Sequence, residues 1–372
     1  MADKKEEFGG GFKEELELKA LEDEKKEKEF EELLNVMKPL TPGTQLRGAI
    51  DDIARAGMGA LIVLGDSPEV LKITNGGIKI DSKFTPQQLV ELCKMDGAII
   101  LSDDLKKIIY CNTQLVPDPN IETNETGTRH RAAERTARQT ARPVVAVSER
   151  RKTITLYYKN MKYVLRSSEE ILNKATETLR MLEKHKEILN ELLVNLNILE
   201  FTNFVTLNEV VSCIQRMEII SRISKTIKKY IFELGVEGNL VKMLLREIIK
   251  GLDKEKELLL KDYSRNWEFS NTALSSLTLD ELLEPNNIVQ ILLYSSGSEP
   301  VKPKGFRILS KTSLSNEAIE RVIGAFGNLQ SLMDTLNLQS GKLSEIIGDK
   351  DAKKLVRDIE NLKEQALIGK KI

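Results

Sequence analysis

The sequence predicts a multidomain protein that is α/β in its first part and all-α in its later parts. Its 372 residues suffice for two or three domains. Between residues 36 and 166, short apolar and β-branched segments alternate with helical ones, as in an α/β domain. From residue 167 onward, apolar residues recur at helical spacing. We therefore expect four stretches: an acidic leader (1–35), an α/β domain (36–166), a helical region (167–304) and a unit of short helices (305–372).

Charge and cysteine content exclude several classes of protein. The 56 Lys and Arg residues balance 57 Asp and Glu, for a net charge of −1, which excludes a uniformly basic nucleic-acid coat but not local basic sites. The charged N-terminus is not a secretory signal, and no apolar run approaches the ~20 residues of a membrane span. We therefore expect no membrane partner. Three widely separated cysteines favour a reducing cytoplasm, and two histidines exclude a multi-histidine metal centre.

The leader and the α/β domain differ in their local signals. Residues Glu15–Glu32 are rich in Glu and Lys, so a charged helix is one interpretation there, but we favour a solvated, partly frayed leader. In the α/β domain, Thr85 is the predicted N-cap of a helix that has Pro86 at its first position. Short apolar runs predict five strands: Gly59–Leu64, Ala98–Leu101, Lys107–Tyr110, Val144–Val147 and Thr153–Tyr158.

The remainder of the chain is helical in pattern. Segments 210–234 and 241–263 predict long helices, and few titratable groups between 167 and 300 sit among apolar ones, which indicates a helical spacer. The last unit predicts helices at Asn316–Ala325, ended by Gly327, at Leu343–Ile347 and at Asp351–Leu367.

The segment from Glu125 to Arg138 is the densest chemical signal. Gly127 and Thr128 predict a helix start, which puts Arg129, His130 and Arg131 in the first turn. That placement is electrostatically unfavourable unless an anion binds there, because a helix N-terminus already has positive potential. Free backbone N–H groups and guanidinium groups together suit phosphate. A phosphate clamp and an exposed basic helix start are equally weighted alternatives. The later arginines at 135, 138 and 142 continue a row from 131 along one face, for which a solvated surface is an alternative interpretation.

A carboxylate and a glycine precede a second predicted strand. Asp96 has the chemistry to hold Mg²⁺ or Mn²⁺, and Gly97 allows close approach to the backbone. Taken alone, this is more often a plain Asp-Gly turn. Together with a phosphate clamp in the same domain it indicates phosphoryl or nucleotidyl transfer. Walker, dinucleotide-binding and kinase motifs are absent from the sequence.

These residues have a family resemblance. Met-Asp-Gly-Ala at 95–98 and Thr-Arg-His-Arg at 128–131 resemble the paired DGA and RHR motifs of the diadenylate cyclases, and the segments 112–118, 146–151 and 157–163 agree. From residue 36 onward the chain resembles members of this family that scan DNA. The resemblance implies a mixed-sheet α/β cyclase domain, a helical spacer bundle and a C-terminal helix-hairpin-helix domain.

The resemblance also implies a reaction, in which two ATP condense into cyclic di-AMP with release of two pyrophosphates. Asp96 would bind Mg²⁺ or Mn²⁺ and favour deprotonation of the 3′-hydroxyl, and Leu115 would pack on adenine. Further implied nucleotide contacts are Gly97, Ala98, Thr128, Arg129, His130, Arg131 and Ser148, of which the four at 128–131 would hold the phosphates. Ala132 stands where some relatives have Thr, so a hydroxyl contact is lost there although a backbone contact remains available.

Partners are implied as well. One active site needs two facing domains, so a homo-oligomer, an octamer in this family, is expected. Branched DNA would bind through the C-terminal domain, where Gly348 matches the second glycine of a phosphate-binding hairpin but Ile346 replaces the first. A purely structural hairpin is the alternative there. For the whole chain, the alternatives are a non-catalytic DNA-binding protein that uses the Arg-rich helix and the hairpins, and an ATP sensor without turnover.

Overall fold

The chain forms two units. The computed structural model describes residues 32–338 and 341–370, so nearly all of the predicted leader helix lies outside the described residues. An α/β unit contains described residues 32–176 and 228–242, and a helical unit contains 177–227, 243–338 and 341–370. The described residues of the predicted spacer and of the predicted C-terminal unit fall mainly in this helical unit.

The α/β unit is built on one mixed sheet. Its strands are β1 (Ala60–Leu64), β2 (Thr74–Asn75), β3 (Ile78–Lys83), β4 (Ala98–Leu101), β5 (Lys107–Leu115), β6 (Val144–Val147), β7 (Ile154–Tyr158) and β8 (Met161–Leu165). In the part of the chain that is described, they run in the order β2-β5-β4-β1-β6-β7-β8, and β3 pairs with β5 beside β2. β1 and β4 are parallel and the other neighbours are antiparallel, which confirms the mixed sheet.

Helices cover both faces of this sheet, because alternate side chains of each central strand point to opposite sides and are apolar on both. Ile62 and Ile99 belong to a core on one face together with the first and third helices, and Leu33, within the predicted leader, joins that core. Leu61 and Ile100 pack on the other face, below the fourth helix. The helices are α1 (Gln45–Arg55), α2 (Pro68–Lys72), α3 (Pro86–Leu92) and α4 (Thr128–Thr140).

Most predicted elements of this unit are confirmed. Thr85 caps α3 by accepting a hydrogen bond from the backbone N–H of Gln88, and α4 begins at Thr128. The strand predicted from Lys107 continues to Leu115. The sequence prediction omitted α1, α2, β2, β3 and β8. β3 was missed because its exposed, lysine-containing pattern at the sheet margin lacks an apolar run.

Three of the described helices have residues in both units: those that begin at residues 168 and 239 start in the α/β unit, and the helix over 207–234 extends into it. Gly251, with φ of +78°, divides the predicted 241–263 helix in two, because its left-handed backbone ends one helix and precedes the next. The helices are α5 (Ser168–Thr202), α6 (Leu207–Leu234), α7 (Asn239–Ile249), α8 (Leu252–Tyr263), α9 (Trp267–Ser276), α10 (Leu279–Leu283), α11 (Pro285–Ile291), α12 (Phe306–Leu309), α13 (Asn316–Phe326), α14 (Leu329–Leu338), α15 (Gly341–Ile347) and α16 (Asp349–Leu367). None of the described helices combines the length and the apolar content needed to cross a membrane.

A buried ionic cluster crosses the helical unit, so the expectation that titratable groups there are unremarkable was wrong. The fully buried Arg307 pairs with Glu200 at 2.5 Å and with Glu255 at 3.2 Å. Tyr263 donates to Glu200 at 2.7 Å. The carboxylate of Asp262 accepts the backbone N–H groups of residues 305–307 at 2.7–2.9 Å and so caps the start of α12. These partners come from three distant segments, so local sequence held no signal for them.

The C-terminal helices follow their predicted bounds closely. α13 ends at Gly327, as predicted, and Gly348 separates α15 from α16 with φ of +84°, a region that favours glycine. Ile346 lies within α15 and packs partly buried against the C-terminal core, so its backbone is helical. The helix-hairpin-helix assignment stays a prediction.

Candidate active site

Four strands bring the predicted site residues to one edge of the sheet. The parallel register of β1 and β4 pairs Ile62 with Ile99, and continued backward it sets Gly59 beside Asp96. Neighbouring strands lie about 4.8 Å apart. The two glycine-containing strand entrances, Gly59 before β1 and Asp96-Gly97 before β4, are therefore adjacent.

The antiparallel neighbours extend the same edge. Ala98 pairs with Thr113, so continuing this register places Leu115 at the level of Asp96. On the other side, Ala60 pairs with Val147, which places Ser148 opposite residue 59. Leu115, Asp96 and Ser148, predicted from separate motifs, thus follow one line across β5, β4, β1 and β6.

Helix α4 begins above this edge. Its N-cap is Gly127, which supplies no side-chain capping hydrogen bond, so the first-turn N–H groups are free to bind a ligand. The Arg129 guanidinium lies against Gly59 so closely that a Cβ there would be 2.0 Å from Nη1. Arg129 also lowers the pKa of Cys93, although burial of that thiol dominates and raises it to about 12. Arg129 thus lies against the Gly59 entrance, which the strand register sets beside Asp96.

Gly97 has a structural requirement of its own. Its φ is +94°, and a Cβ at this position would lie 2.8–3.0 Å from backbone atoms of Asn112 and Thr113. The Thr113 hydroxyl donates to the carbonyl of Ala98 at 3.0 Å, which closes the same junction of β4 and β5. Glycine is therefore needed at 97 for strand packing, and the exposed Asp96 is held at the end of that junction.

The exposure of the predicted residues divides them into three groups. The side chains of Asp96, Arg129 and Arg131 have no hydrogen bond or ion pair among residues 32–338 and 341–370. Asp96, Gly97, Thr128 and Arg131 are exposed, Arg129, His130, Ala132 and Ser148 are half-buried, and Ala98 and Leu115 are buried. Ala98, Leu115 and Ala132 belong to the core beneath α4, so they form the floor of the site.

The arginines that follow the first turn of α4 have structural partners, so the alternative of a solvated row does not hold for residues 135, 138 and 142. Arg135 donates to the carbonyl of Ile121 at 2.8 Å, and Arg138 donates to that of Glu122 and pairs with Glu134 at 2.6 Å. Arg142 pairs with Asp103 at 3.1 Å. Arg135 and Arg138 thereby hold the preceding loop against the helix, whereas Arg129 and Arg131 remain available to a ligand.

His130 lies beside a cluster that the sequence analysis missed. Its ring meets the edge of Tyr157 with centroids 6.3 Å apart and planes at 80°. The Tyr157 hydroxyl donates to Glu125 at 2.8 Å, and Lys162 lies 2.5 Å from the same carboxylate oxygen. Burial lowers the pKa of His130, and the charge of Glu125 partly opposes that effect. Only sheet pairing brings residues 157 and 162 to the loop, so local sequence gave no signal.

The edge has the chemistry of a nucleotide-phosphate site. Helix N–H groups and two available guanidinium groups suit phosphate oxygens. The exposed Asp96 fits the single carboxylate with which Mg²⁺ is commonly held when phosphates and water supply its other ligands. Within the described ranges no group of three His, Cys, Asp or Glu side chains forms a dedicated metal cage.

Most of the chain is similar in sequence to known proteins. A family model described as "DisA bacterial checkpoint controller nucleotide-binding" matches residues 47–162, and one described as the DisA bacterial checkpoint controller linker region matches 165–301. The DNA integrity scanning protein DisA of Clostridium botulinum, strain Langeland, is 42% identical over 346 residues, or 91% of this chain and 98% of that protein. The chain belongs to the DisA family.

Another DisA protein and a solved structure are also similar to this chain. DisA of Clostridium tetani is 41% identical over 348 residues, which cover 92% of this chain and 96% of that protein. A solved structure of DacA from Staphylococcus aureus is 24% identical and covers 40% of this chain and 97% of its own, with a TM-score of 0.28, which is too low to support an argument. The matched nucleotide-binding region of the DisA family contains the whole candidate site.

Proposed function

We propose that the α/β unit is a diadenylate cyclase that condenses two ATP into cyclic di-AMP and releases two pyrophosphates. The observation that most supports this is the convergence of Asp96 with the first turn of α4 at one sheet edge. An exposed carboxylate and two arginines without partners among the described residues fit a triphosphate, and membership of the DisA family makes ATP the expected substrate.

Each side chain has a role in this proposal. Arg129, Arg131 and the first N–H groups of α4, with Thr128, bind the phosphates and stabilise the charge that develops as pyrophosphate leaves. His130 contacts the same phosphates from the half-buried side of the turn. Leu115 and Ala98 support the adenine from the core, with Gly97, Ala132 and Ser148 beside the nucleotide. Such a reaction depends on positioning and charge more than on covalent catalysis.

Asp96 would hold Mg²⁺ or Mn²⁺. A cation held there would supply positive charge to the phosphates and would make the 3′-hydroxyl easier to deprotonate. The carboxylate suits this role because it is exposed and has no partner in the described part of the chain.

Two copies of this edge are needed for one product. The described part of each chain offers one phosphate-binding turn, so the two nucleotides would come from two facing α/β units. We therefore propose a homo-oligomer as the active form, with the octamer of the resemblance as its expected size. The name of the DisA relatives points to DNA scanning, and we propose that branched DNA binds the C-terminal helices and lowers cyclase activity.

The test is product formation from ATP with Mg²⁺ or Mn²⁺, resolved by chromatography. Wild type should yield cyclic di-AMP, whereas Asp96→Asn and Arg129→Ala should reduce turnover by at least about 100-fold, the scale of losing a major electrostatic contact. DNA binding should persist in both. Asp52→Asn and Arg55→Ala are matched controls, because these residues form an exposed pair on α1, on the opposite face of the sheet.

Other outcomes would overturn the proposal in distinct ways. Recovery of ATP alone, or of ADP, from wild type would reject the cyclase. ATP binding without pyrophosphate release would indicate a sensor. Weakened DNA binding in Arg129→Ala, with no effect of ATP, would favour the non-catalytic DNA-binding protein. Unchanged turnover with saturating junction DNA would reject the proposed regulation.

A further inference from the structure

The carboxylate of Glu125 joins the start of α4 to the sheet. Glu125 precedes the N-cap Gly127 by two residues, and its Oε1 accepts from the Tyr157 hydroxyl at 2.8 Å and lies 2.5 Å from Lys162 Nζ. Tyr157 and Lys162 face each other in register on β7 and β8. The Glu125 side chain is only 17% exposed, so this pair is less screened than a surface pair. We call Glu125, Tyr157 and Lys162 the Glu125 cluster.

The cluster also contacts His130. The Tyr157 ring meets the His130 ring edge-on, with a centroid separation of 6.3 Å. Tyr157 is 1% exposed, so neighbouring atoms restrict its movement. The Tyr157 side chain therefore binds Glu125 through its hydroxyl and contacts His130 through its ring.

The loop before α4 is tied to the helix by other contacts. Arg135 and Arg138 bind the loop carbonyls of residues 121 and 122, and Thr123 donates to Glu134 at 2.5 Å. These contacts hold the loop against its own helix. Glu125 is different, because its partners lie on β7 and β8 and so fix the helix start relative to the sheet.

The surrounding charges give Glu125 a second effect. Burial lowers the pKa of His130, the charge of Glu125 raises it, and three nearby cations lower it. Among the described residues, the titratable and charged groups around the ring are Glu125, Tyr157, Lys162, Arg129 and Arg151. Glu125 thus supplies the negative charge that offsets a largely cationic environment.

We propose that Glu125, held by Tyr157 and Lys162, is a positioning residue for His130. It fixes the imidazole in the first turn of α4 and supplies the negative charge that favours the protonated ring beside phosphate. This inference rests on the proposed cyclase function for its catalytic consequence. Glu125 itself contacts no nucleotide in this arrangement and acts through the histidine.

The kinetic test uses conservative variants of the full chain. Glu125→Gln keeps an oxygen acceptor but removes the charge, and Tyr157→Phe keeps the ring but removes the donor. We expect kcat to fall about tenfold in Glu125→Gln and less in Tyr157→Phe, while KM for ATP changes by less than about threefold, because ground-state binding is retained. Tyr158→Phe is the matched control, since its hydroxyl donates to Glu32 at the surface and it should behave as wild type.

A double-mutant cycle separates positioning from general structure. If Glu125 acts through His130, Glu125→Gln should have little further effect in a His130→Ala background. A loss of the same factor in both backgrounds would overturn the inference. The melting temperature of each variant should stay near that of wild type.

A second readout does not need activity. The chain has two histidines, so ¹³C-labelled histidine gives two NMR titrations, with His185 of the helical unit as internal reference. Glu125→Gln should lower the pKa of His130 and leave that of His185 unchanged. An unchanged His130 pKa would overturn the inference. Absence of cyclic di-AMP from wild type would instead reject the proposed function, and this titration would still decide whether Glu125 sets the state of His130.

Discussion

The charged side chains at the centre of the helical unit are paired with one another, whereas those at the candidate site of the α/β unit are not. In the helical unit, Arg307 and Glu200 are buried and satisfy each other. At the sheet edge of the α/β unit, the exposed Asp96 carboxylate and the half-buried Arg129 guanidinium have no partner among the described residues, although Arg129 lies against Gly59 and the strand register sets Gly59 beside Asp96. Buried charges must be paired because desolvation is costly, whereas exposed converging charges without partners are free to bind a ligand. The comparison teaches that pairing, more than the number of charges, distinguishes a structural cluster from a binding site.

The largest expected effect tests the structural side of this comparison. Arg307→Met would leave Glu200 buried without its cation, which should lower the free energy of unfolding by about 3–5 kcal/mol. The helical unfolding transition in urea, followed by circular dichroism, measures this change. Arg55→Met breaks the exposed pair with Asp52 and should cost at most about 1 kcal/mol. Equal losses in the two variants would contradict the distinction.

The buried carboxyl group of Asp262, in the same cluster, should make the stability of the helical unit depend on pH. Burial, followed by the charge of Glu200, raises its pKa to about 7, although three backbone N–H donors lower it. Because the folded pKa is above the unfolded value near 3.9, the folded state binds a proton between about pH 4 and 7, and stability falls as pH rises through that window. Between pH 5 and 7 the loss should be at most about 3 kcal/mol. Asp262→Asn should lack this component; a parallel pH dependence in variant and wild type would refute it.

A substitution at Gly59 tests the candidate binding site, with a smaller expected loss than the changes in the Arg307 cluster. A methyl group in Gly59→Ala would overlap the Arg129 guanidinium, so the arginine must move away from the edge. We expect turnover to fall about tenfold, or about 1.4 kcal/mol in activation free energy, with little change in melting temperature. Gly48→Ala, where the new Cβ meets nothing within 4 Å, is the control. Full activity in Gly59→Ala would show that the position of Arg129 against residue 59 is unimportant.

Sequence reasoning succeeded where the signal is local. The start of α4 at Thr128 and the N-cap at Thr85 follow from residue types at adjacent positions. It failed where partners are distant: the Arg307 cluster and the Glu125 cluster depend on packing and strand register that no single segment encodes. The role of Gly59 was missed for the same reason.

The sequence predicted only in part that the candidate site residues lie at one edge of the sheet. The pairing of Asp96 with the Arg-His-Arg turn came from a family resemblance, and the sheet register supplies its physical basis. The arginines at 135, 138 and 142 look alike in sequence to those at 129 and 131. Only the fold shows that their guanidinium groups bind loop carbonyls and carboxylates.

The most direct test of the central claim is an experimental structure of the full chain with 3′-deoxy-ATP and Mn²⁺. This nucleotide lacks the attacking hydroxyl, so the complex cannot react. We expect Mn²⁺ at the Asp96 carboxylate, the triphosphate against Arg129 and Arg131 at the start of α4, and a second nucleotide facing it from another copy of the chain. A nucleotide bound away from this sheet edge, or phosphates that contact neither the carboxylate-held cation nor the α4 turn, would contradict the account.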